Sequence, residues 1–206
     1  MGNVGLLYVG AVLFVNGLLL LGVVDGRAAA PINLFVGALQ VVTPTYLIIA
    51  AAGDARAISL AAGLYLFGFT YLWVGVNAIA GWPQAGLGWF SLFVALCAVG
   101  FAVHSFADLG DRTFGVIWLF WSFLWLLFFL VLGLGIERLT RFTGWVTLVE
   151  AFGTAAVPAF LLVTGHWSDS AGLAVTYLVV GVLLFGGLWF ALARRPAASA
   201  SVPHHA

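Results

Sequence analysis

Charged residues are scarce in this chain of 206 residues, where they make up only 7% of the total. An ordinary soluble domain carries about 25% charged residues. The chain has seven arginines, no lysine and seven acidic residues, so its formal net charge is zero. Hydrophobic residues reach 64%, and the mean hydropathy is +1.18. A soluble fold of this size cannot cover its surface with so few charges, so the composition predicts an integral membrane protein.

Other absences exclude further classes of function. Without lysine the chain cannot form a retinal Schiff base, and only His104 lies near a span as a haem ligand. The lone Cys97 cannot form an intrachain disulfide. No histidine spacing suits a metal, no basic patch suits nucleic acid, and no hydrolase or nucleotide-binding motif is present. We therefore expect no cofactor, no metal, no nucleic-acid partner and no enzymatic activity, which leaves transport.

Long apolar runs predict an all-α protein with seven transmembrane helices. The strands of a membrane barrel would be short and would alternate in polarity, whereas these runs are unbroken. Short polar segments separate them. The predicted spans are Val4–Val24, Ile32–Ala52, Ala57–Ala80, Gly86–Phe106, Phe114–Ile136, Phe142–Gly165 and Ala171–Ala193. Residues 1–193 are expected to form one transmembrane domain, and residues 194–206 a disordered cytoplasmic tail.

Arginine placement predicts the orientation of the chain in the membrane. With the N-terminus outside, Arg56 and Arg112 lie outside the membrane. The inner segments then hold the other five arginines, which are Arg27, Arg138, Arg141, Arg194 and Arg195. Cytoplasmic segments are enriched in arginine, so we expect a multi-pass protein of the plasma membrane with its N-terminus outside and its C-terminus in the cytoplasm.

A weak internal repeat divides the first six spans. Spans one, three and five begin at roughly equal intervals, and each would open a two-helix hairpin. Asn16 and Asn77 lie near the inner ends of the first and third spans. Three hairpins of the same orientation would surround a pore along the membrane normal. The alternative is that apolar helices resemble one another by composition alone. Span seven lies outside the repeat.

Glu150 is the only charged residue inside a predicted span. A carboxylate within the membrane is costly, so it normally faces protein or water and has a functional role. The alternative is a protonated glutamate that ties two helices together with one hydrogen bond. Thr147 and Thr154 lie one turn away, so this face of the sixth span is polar.

Aromatic residues follow single faces of two spans. Trp118, Trp121 and Trp125 share one face of span five, while Phe67 and Tyr71 share one face of span three. The three tryptophans extend over about 10 Å of helix, so at least one lies deep in the membrane. Such a ladder is suited to line a narrow path for a small planar solute. Helix packing or lipid contact would explain the spacing equally well.

With these residues the chain resembles the AmiS/UreI family of bacterial urea and short-chain amide channels. The resemblance covers about residues 4–165. The segments that carry it are Leu6 to Gly17, Asn33 to Gly37, Leu66 to Leu72, Trp89 to Ala95, His104-Ser105, Ile117 to Trp125, and Phe142 through Glu150 to Ala159.

The resemblance implies a six-helix bundle around a pore in each protomer, and a homohexamer whose centre holds membrane lipid. It also implies two constrictions. Val9, Leu13, Trp121, Leu124 and Trp125 would line the outer constriction, and Phe67, Tyr71 and Trp118 the inner one. Glu150 would be the buried pore glutamate, with Asn16 nearby.

Two departures favour the amide-permease branch of this family. The second connection is only Gly53 to Arg56, whereas an acid-gated urea channel of this family has longer outer loops with several histidines and acidic residues, and a seventh span follows the sixth. The resemblance therefore implies passive conduction of urea or small neutral amides, without acid gating and with a functional link to a cytoplasmic amidase. The alternatives are a proton-coupled amide carrier that uses Glu150 and a non-transporting scaffold.

Overall fold

A computed structural model gives the structure of residues 2–193, to which every structural statement below refers. It contains seven helices that are long and apolar enough to cross a membrane, which confirms the predicted all-α architecture. We number them α1 to α7. Their bounds are Gly2–Leu20, Gly26–Ala50, Ala55–Ala80, Ala85–Leu109, Arg112–Gly133, Glu137–Val163 and Ala171–Leu192. The predicted tail at residues 194–206 lies outside the described residues.

Short polar side chains begin four of these helices. Asp25, Asp54, Asp111 and Ser170 each accept a hydrogen bond from a backbone N–H in the first turn of α2, α3, α5 and α7 respectively. Such capping satisfies donors that the helix itself leaves free. It also explains why α2 begins at Gly26 rather than at the predicted Ile32: the cap, and not the hydropathy, fixes the first turn.

The first six helices form a closed bundle built from three closely packed antiparallel pairs. These pairs are α1 with α6, α2 with α3, and α4 with α5. The predicted hairpins paired the helices one step differently, as spans one with two, three with four and five with six. The reason for the difference is the placement of small residues, because the close approaches occur where glycine removes the Cβ atom.

Glycine lies at each of the three close approaches. A Cβ atom at Gly10 would lie 2.9 Å from the backbone oxygen of Ala151 in α6, and one at Gly37 would lie 2.7 Å from the backbone nitrogen of Leu72 in α3. A Cβ atom at Gly88 would collide with the backbone of Gly133 in α5. Van der Waals packing drives helix association in a membrane, so these contacts define which helices pair.

Helix α7 packs on the outside of the bundle, mainly against α5. It is the least buried of the seven helices. Gly181 accommodates the ring of Phe120, and Phe185 stacks against Phe123 with ring centroids 5.7 Å apart. The connection before α7 contributes Asp169, which accepts hydrogen bonds from the backbone N–H groups of Arg112 and Thr113 and from the hydroxyl of Thr113. This carboxylate therefore ties the start of α7 to the start of α5.

The two carboxylates at the start of α5 differ in pKa. Burial raises the pKa of Asp111, and the nearby Asp169 charge adds to this, while the hydrogen bond from Phe114 N–H opposes it. For Asp169, desolvation is the largest single effect and raises the pKa, but the hydrogen bonds from Thr113 and Arg112 and the Arg112 charge together outweigh it, so its pKa lies below the ordinary value of 3.8. Asp169 therefore carries the ionic part of this link.

The change Gly88→Ala should destabilise the protein by roughly 1–3 kcal/mol, because the added methyl group forces α4 and α5 apart. Thermal unfolding in detergent measures this loss. Gly100→Ala on the same helix is the matched control, since a Cβ atom there meets nothing within 4 Å. Equal melting temperatures for the two variants would contradict the close α4–α5 contact.

The change Asp169→Asn should lower thermal stability at neutral pH. Because the folded-state pKa is lowered, the carboxylate stabilises the fold above its unfolded pKa, and this contribution disappears as the pH falls through the lowered folded value. The gap between wild type and variant should therefore close in acid below the ordinary value of 3.8. Thr113→Val completes a double-mutant cycle, and strictly additive effects would show that the contact is not energetically coupled.

Candidate functional site

Two cavities enter the bundle from its opposite ends. The amino-terminal face carries residue 2 and the connections α2–α3, α4–α5 and α6–α7. The amino-terminal cavity, which opens near this face, has a volume of about 450 Å³ and is lined by residues such as Asn3, Ser59 and His104. The opposite cavity has a volume of about 280 Å³, and Asn16 and Gln84 contribute to its wall.

Phe67 and Trp121 line both cavities, so the two spaces meet at these rings. Phe67 from α3 packs edge-on against Trp121 with centroids 4.9 Å apart, and it lies 4.7 Å from Trp125. Trp118 is 4.8 Å from Trp121. We call Phe67, Tyr71, Trp118, Trp121 and Trp125 the aromatic partition. The predicted ladder on one face of span five therefore faces the interior of the bundle and not the lipid.

The aromatic partition is held by specific contacts. The indole N–H of Trp121 donates to the hydroxyl of Thr154 at 2.8 Å, and that hydroxyl donates to the carbonyl of Glu150. Trp118 stacks on Phe101 of α4 with ring planes 20° apart. Buried indole N–H groups usually need such a partner. The rings of span five are therefore fixed from both α6 and α4.

The predicted pore residues occupy both sides of the partition. Val9 and Trp118 line the amino-terminal cavity. Those that line the opposite cavity are Leu13, Asn16, Tyr71, Leu124 and Trp125. The expected division into an outer and an inner constriction is therefore wrong in its ordering by depth. The cause is helix direction: Trp118 precedes Trp121 on α5, which starts at the amino-terminal face, so it cannot lie deeper than Trp125 from that face.

Three buried positions at equal sequence spacing line the two cavities. Val9, Phe67 and Trp125 occupy corresponding places on α1, α3 and α5, and all are at most 4% exposed. Gly17, Gly75 and Gly133 repeat with the same spacing. The weak repeat detected in the sequence thus corresponds to equivalent positions in the three odd-numbered helices of the bundle.

Asn16 forms a reciprocal pair with Asn33. Each side-chain NH₂ donates to the other side-chain oxygen, at 2.9 and 2.7 Å, and Asn33 donates also to the carbonyl of Ala29. Asn16 uses half of its donor and acceptor capacity in this pair, so the remainder is free to face the opposite cavity that it lines. Sequence reasoning identified Asn16 but not its partner, because the two residues lie on different helices.

Glu150 is completely buried, and neither of its carboxyl oxygens has a hydrogen-bond partner. It lines neither cavity, but it lies close enough to Tyr71 of the partition to interact with it electrostatically. A wide turn of π-helix, Ala151–Ala156, begins directly after it. Such turns are rare overall, but those that occur are often found at functional sites. Glu150 therefore lies behind the partition rather than in the wall of the path.

Gln40 was not among the predicted site residues. It is fully buried on α2, contributes to the wall of the amino-terminal cavity, and has no hydrogen-bond partner for its side-chain oxygen or nitrogen. The sequence signal was a glutamine inside an apolar span. A polar side chain within the membrane is energetically costly and usually has a functional role.

Ser59, His104 and Asp108 form a chain of hydrogen bonds at the mouth of the amino-terminal cavity. The two nitrogens of His104 lie 3.0 Å from the Ser59 hydroxyl and 2.6 Å from Asp108. The Ser59 hydroxyl donates to the carbonyl of Arg56 at 2.8 Å. These three side chains thus link α3 to α4 at the mouth of the cavity. Within residues 2–193, no cluster of side chains suits a metal ion.

A family model described as AmiS/UreI family transporter matches residues 1–166. The chain belongs to the AmiS/UreI family. A putative transporter protein AmiS2 of Rhodococcus erythropolis is 55% identical over 186 residues, which cover 90% of each chain. A putative amidate substrates transporter protein of Mycolicibacterium smegmatis is also 55% identical, over 88% of this chain and 85% of its own. These relatives confirm the resemblance to the amide-transporting branch.

More distant relatives connect the fold to a solved structure. An acid-activated urea channel of Helicobacter pylori is 37% identical over 79% of this chain and 97% of its own. The crystal structure of the urea channel from that organism superposes with a TM-score of 0.73 at 37% identity, and covers 82% of this chain and 100% of the channel. The family match ends at residue 166, before α7 begins.

The change Thr154→Val should destabilise the protein by about 1–3 kcal/mol, because it leaves the buried indole N–H of Trp121 without an acceptor. Thermal unfolding provides the measurement. Thr147→Val is the matched control, since Thr147 is equally deep in α6 but bonds only to its own helix at Thr143. A loss no larger than that of the control would show that Thr154 does not support the partition.

Proposed function

We propose that this protein is a passive channel through which urea and short-chain aliphatic amides cross a bacterial plasma membrane. The observation that carries the proposal is the meeting of two cavities, one from each end of the bundle, at the rings of Phe67 and Trp121. The names of the relatives, an amidate transporter and a urea channel, support the same class of solute.

The chemistry of the aromatic partition suits small neutral planar solutes. Its flat apolar ring faces form few favourable contacts with an ion that has lost its hydration shell. Ions are therefore excluded by their desolvation cost. An amide is uncharged and loses far less on entering. Few polar partners lie at the partition, so binding there is weak, and weak binding favours fast passage.

Passive conduction agrees better with the position of Glu150 than a proton-coupled carrier does. A coupling carboxyl group must be reached alternately by proton and substrate, whereas Glu150 lines neither cavity. The relatives, which are named as transporters and a channel, likewise favour passage over hydrolysis of the solute. The protein therefore moves amides without chemical change.

The remaining parts of the proposal follow from the family and the charges. The arginine asymmetry supports an orientation with the amino-terminal face outside the cell. Exposed side chains such as Phe35, Ile49 and Leu183 form the apolar surface that lipid or neighbouring protomers of a homohexamer cover. The short connection between α2 and α3 holds no histidine, so conduction is not acid-gated. A cytoplasmic amidase would consume the amides that enter.

Purified protein in liposomes should accelerate the entry of acetamide and urea over empty vesicles. The change Trp121→Ala should raise the urea flux severalfold and weaken discrimination against the bulkier butyramide, because it removes a ring from the partition. Stopped-flow light scattering measures both effects. Trp145→Ala is the matched control, since Trp145 lies on the exposed side of α6.

Two outcomes would contradict the proposal. Entry no faster than in empty vesicles would exclude conduction. Accumulation against a concentration gradient that an uncoupler abolishes would identify a proton-coupled carrier instead.

A further inference from the structure

Gln40 places an unpartnered carboxamide in the wall of the amino-terminal cavity. Its side chain is 0% exposed, and neither Oε1 nor Nε2 has a hydrogen-bond partner. Nearly all buried polar groups in proteins are hydrogen-bonded, and an orphan amide inside an apolar bundle is destabilising. A group kept in this state is available to bond with whatever passes through the cavity.

Gln40 lies where α2 makes close contacts with two neighbouring helices. Pro44 lies four residues later in α2 and has no N–H to donate to the Gln40 carbonyl. Gly68 of α3 approaches that carbonyl so closely that a Cβ atom would lie 2.9 Å from it. A Cβ atom on Gly5 of α1 would lie 3.2 Å from both amide atoms. The carboxamide thus lies against α1 and the backbone carbonyl against α3, so both ends of the residue are in close contact with a neighbouring helix.

Another pair of side chains in this protein shows the geometry with which two carboxamides bind each other. Asn16 and Asn33 exchange two hydrogen bonds, each side-chain NH₂ donating to the other oxygen. This pairing requires an N–H and a C=O on the same edge of each amide. Gln40 carries the same two groups, but neither of them has a hydrogen-bond partner within the described chain.

We propose that Gln40 binds the carboxamide edge of a solute in the amino-terminal cavity through the same reciprocal pair of hydrogen bonds. Oε1 accepts from the solute N–H that lies cis to its carbonyl oxygen, and Nε2 donates to that oxygen. The inference rests on the proposed function and makes Gln40 a determinant of its specificity.

This pairing selects solutes by the arrangement of the amide edge rather than by size. Primary amides and urea carry an N–H cis to the carbonyl oxygen. In a trans secondary amide, as in the peptide bond, the N–H points away from the oxygen, so only one of the two bonds can form. Sites built to hydrogen-bond a group reject analogues that lack it.

The test compares two isomers of equal size, propionamide and N-methylacetamide, in the liposome assay. After subtraction of the flux into empty vesicles, the wild-type protein should conduct propionamide about tenfold faster, as the loss of one well-placed hydrogen bond implies. Gln40→Met keeps the length of the side chain but removes both polar atoms, so the ratio should fall towards one. Thr43→Val is the matched control and should keep the wild-type ratio, since Thr43 is a buried polar residue of α2 that lines neither cavity.

The outcomes separate this inference from the proposed function. If propionamide enters no faster than into empty vesicles, the channel function itself fails. If the wild type conducts both isomers equally, the function stands and the Gln40 site is overturned, whether or not the variant folds. A wild-type ratio that persists in Gln40→Met overturns it as well, and a ratio retained in Gln40→Asn supports it.

Discussion

The architecture depends on the close approach of three helix pairs at glycine residues. Within a membrane no hydrophobic force draws helices together, because lipid tails are as apolar as the side chains, so packing alone decides the pairing. Gly10, Gly37 and Gly88 let α1, α2 and α4 contact the backbones of their partners. With α1 seated against α6, the ring of six helices closes. Phe67 and Trp121 then lie where the two cavities meet, with Val9 in the wall of one cavity and Trp125 in the wall of the other.

Aromatic rings that close the path discriminate between neutral solutes and ions, which a water-filled pore would not do. Cavities on both sides of the partition keep the apolar path short, so a neutral solute gives up its water over little more than one layer of rings. An ion faces the same short path with a far larger desolvation cost. The rings must remain in place for this, and Thr154 and Phe101 hold Trp121 and Trp118 from two neighbouring helices.

Sequence patterns predicted the number of helices because charge and hydropathy act locally, and three of the acidic residues that interrupt the runs, Asp25, Asp54 and Asp111, are N-caps. They did not predict the pairing, since all six helices are strongly apolar and the pairing depends on glycines that face each other only in the fold. The shared face of Trp118, Trp121 and Trp125 was predictable from spacing, whereas their depth order was taken from resemblance and proved wrong. Gln40 was missed because the sequence does not show whether a glutamine in a span has a hydrogen-bond partner in the folded protein.

Recognition of the amide requires hydrogen-bonding groups, whereas selectivity against ions requires an apolar constriction. The two functions are therefore best performed at different positions along the path. A strong hydrogen-bonding site at the narrowest point would hold the solute where passage must be fast. Gln40 instead lies in the wall of the wider cavity, on the amino-terminal side of the rings, and Asn16 offers its remaining capacity on the other side. Each amide meets the solute where there is space to orient it, and the partition between them contributes mainly apolar contact. A solute could thus exchange hydrogen bonds on both sides of the rings without being trapped between them.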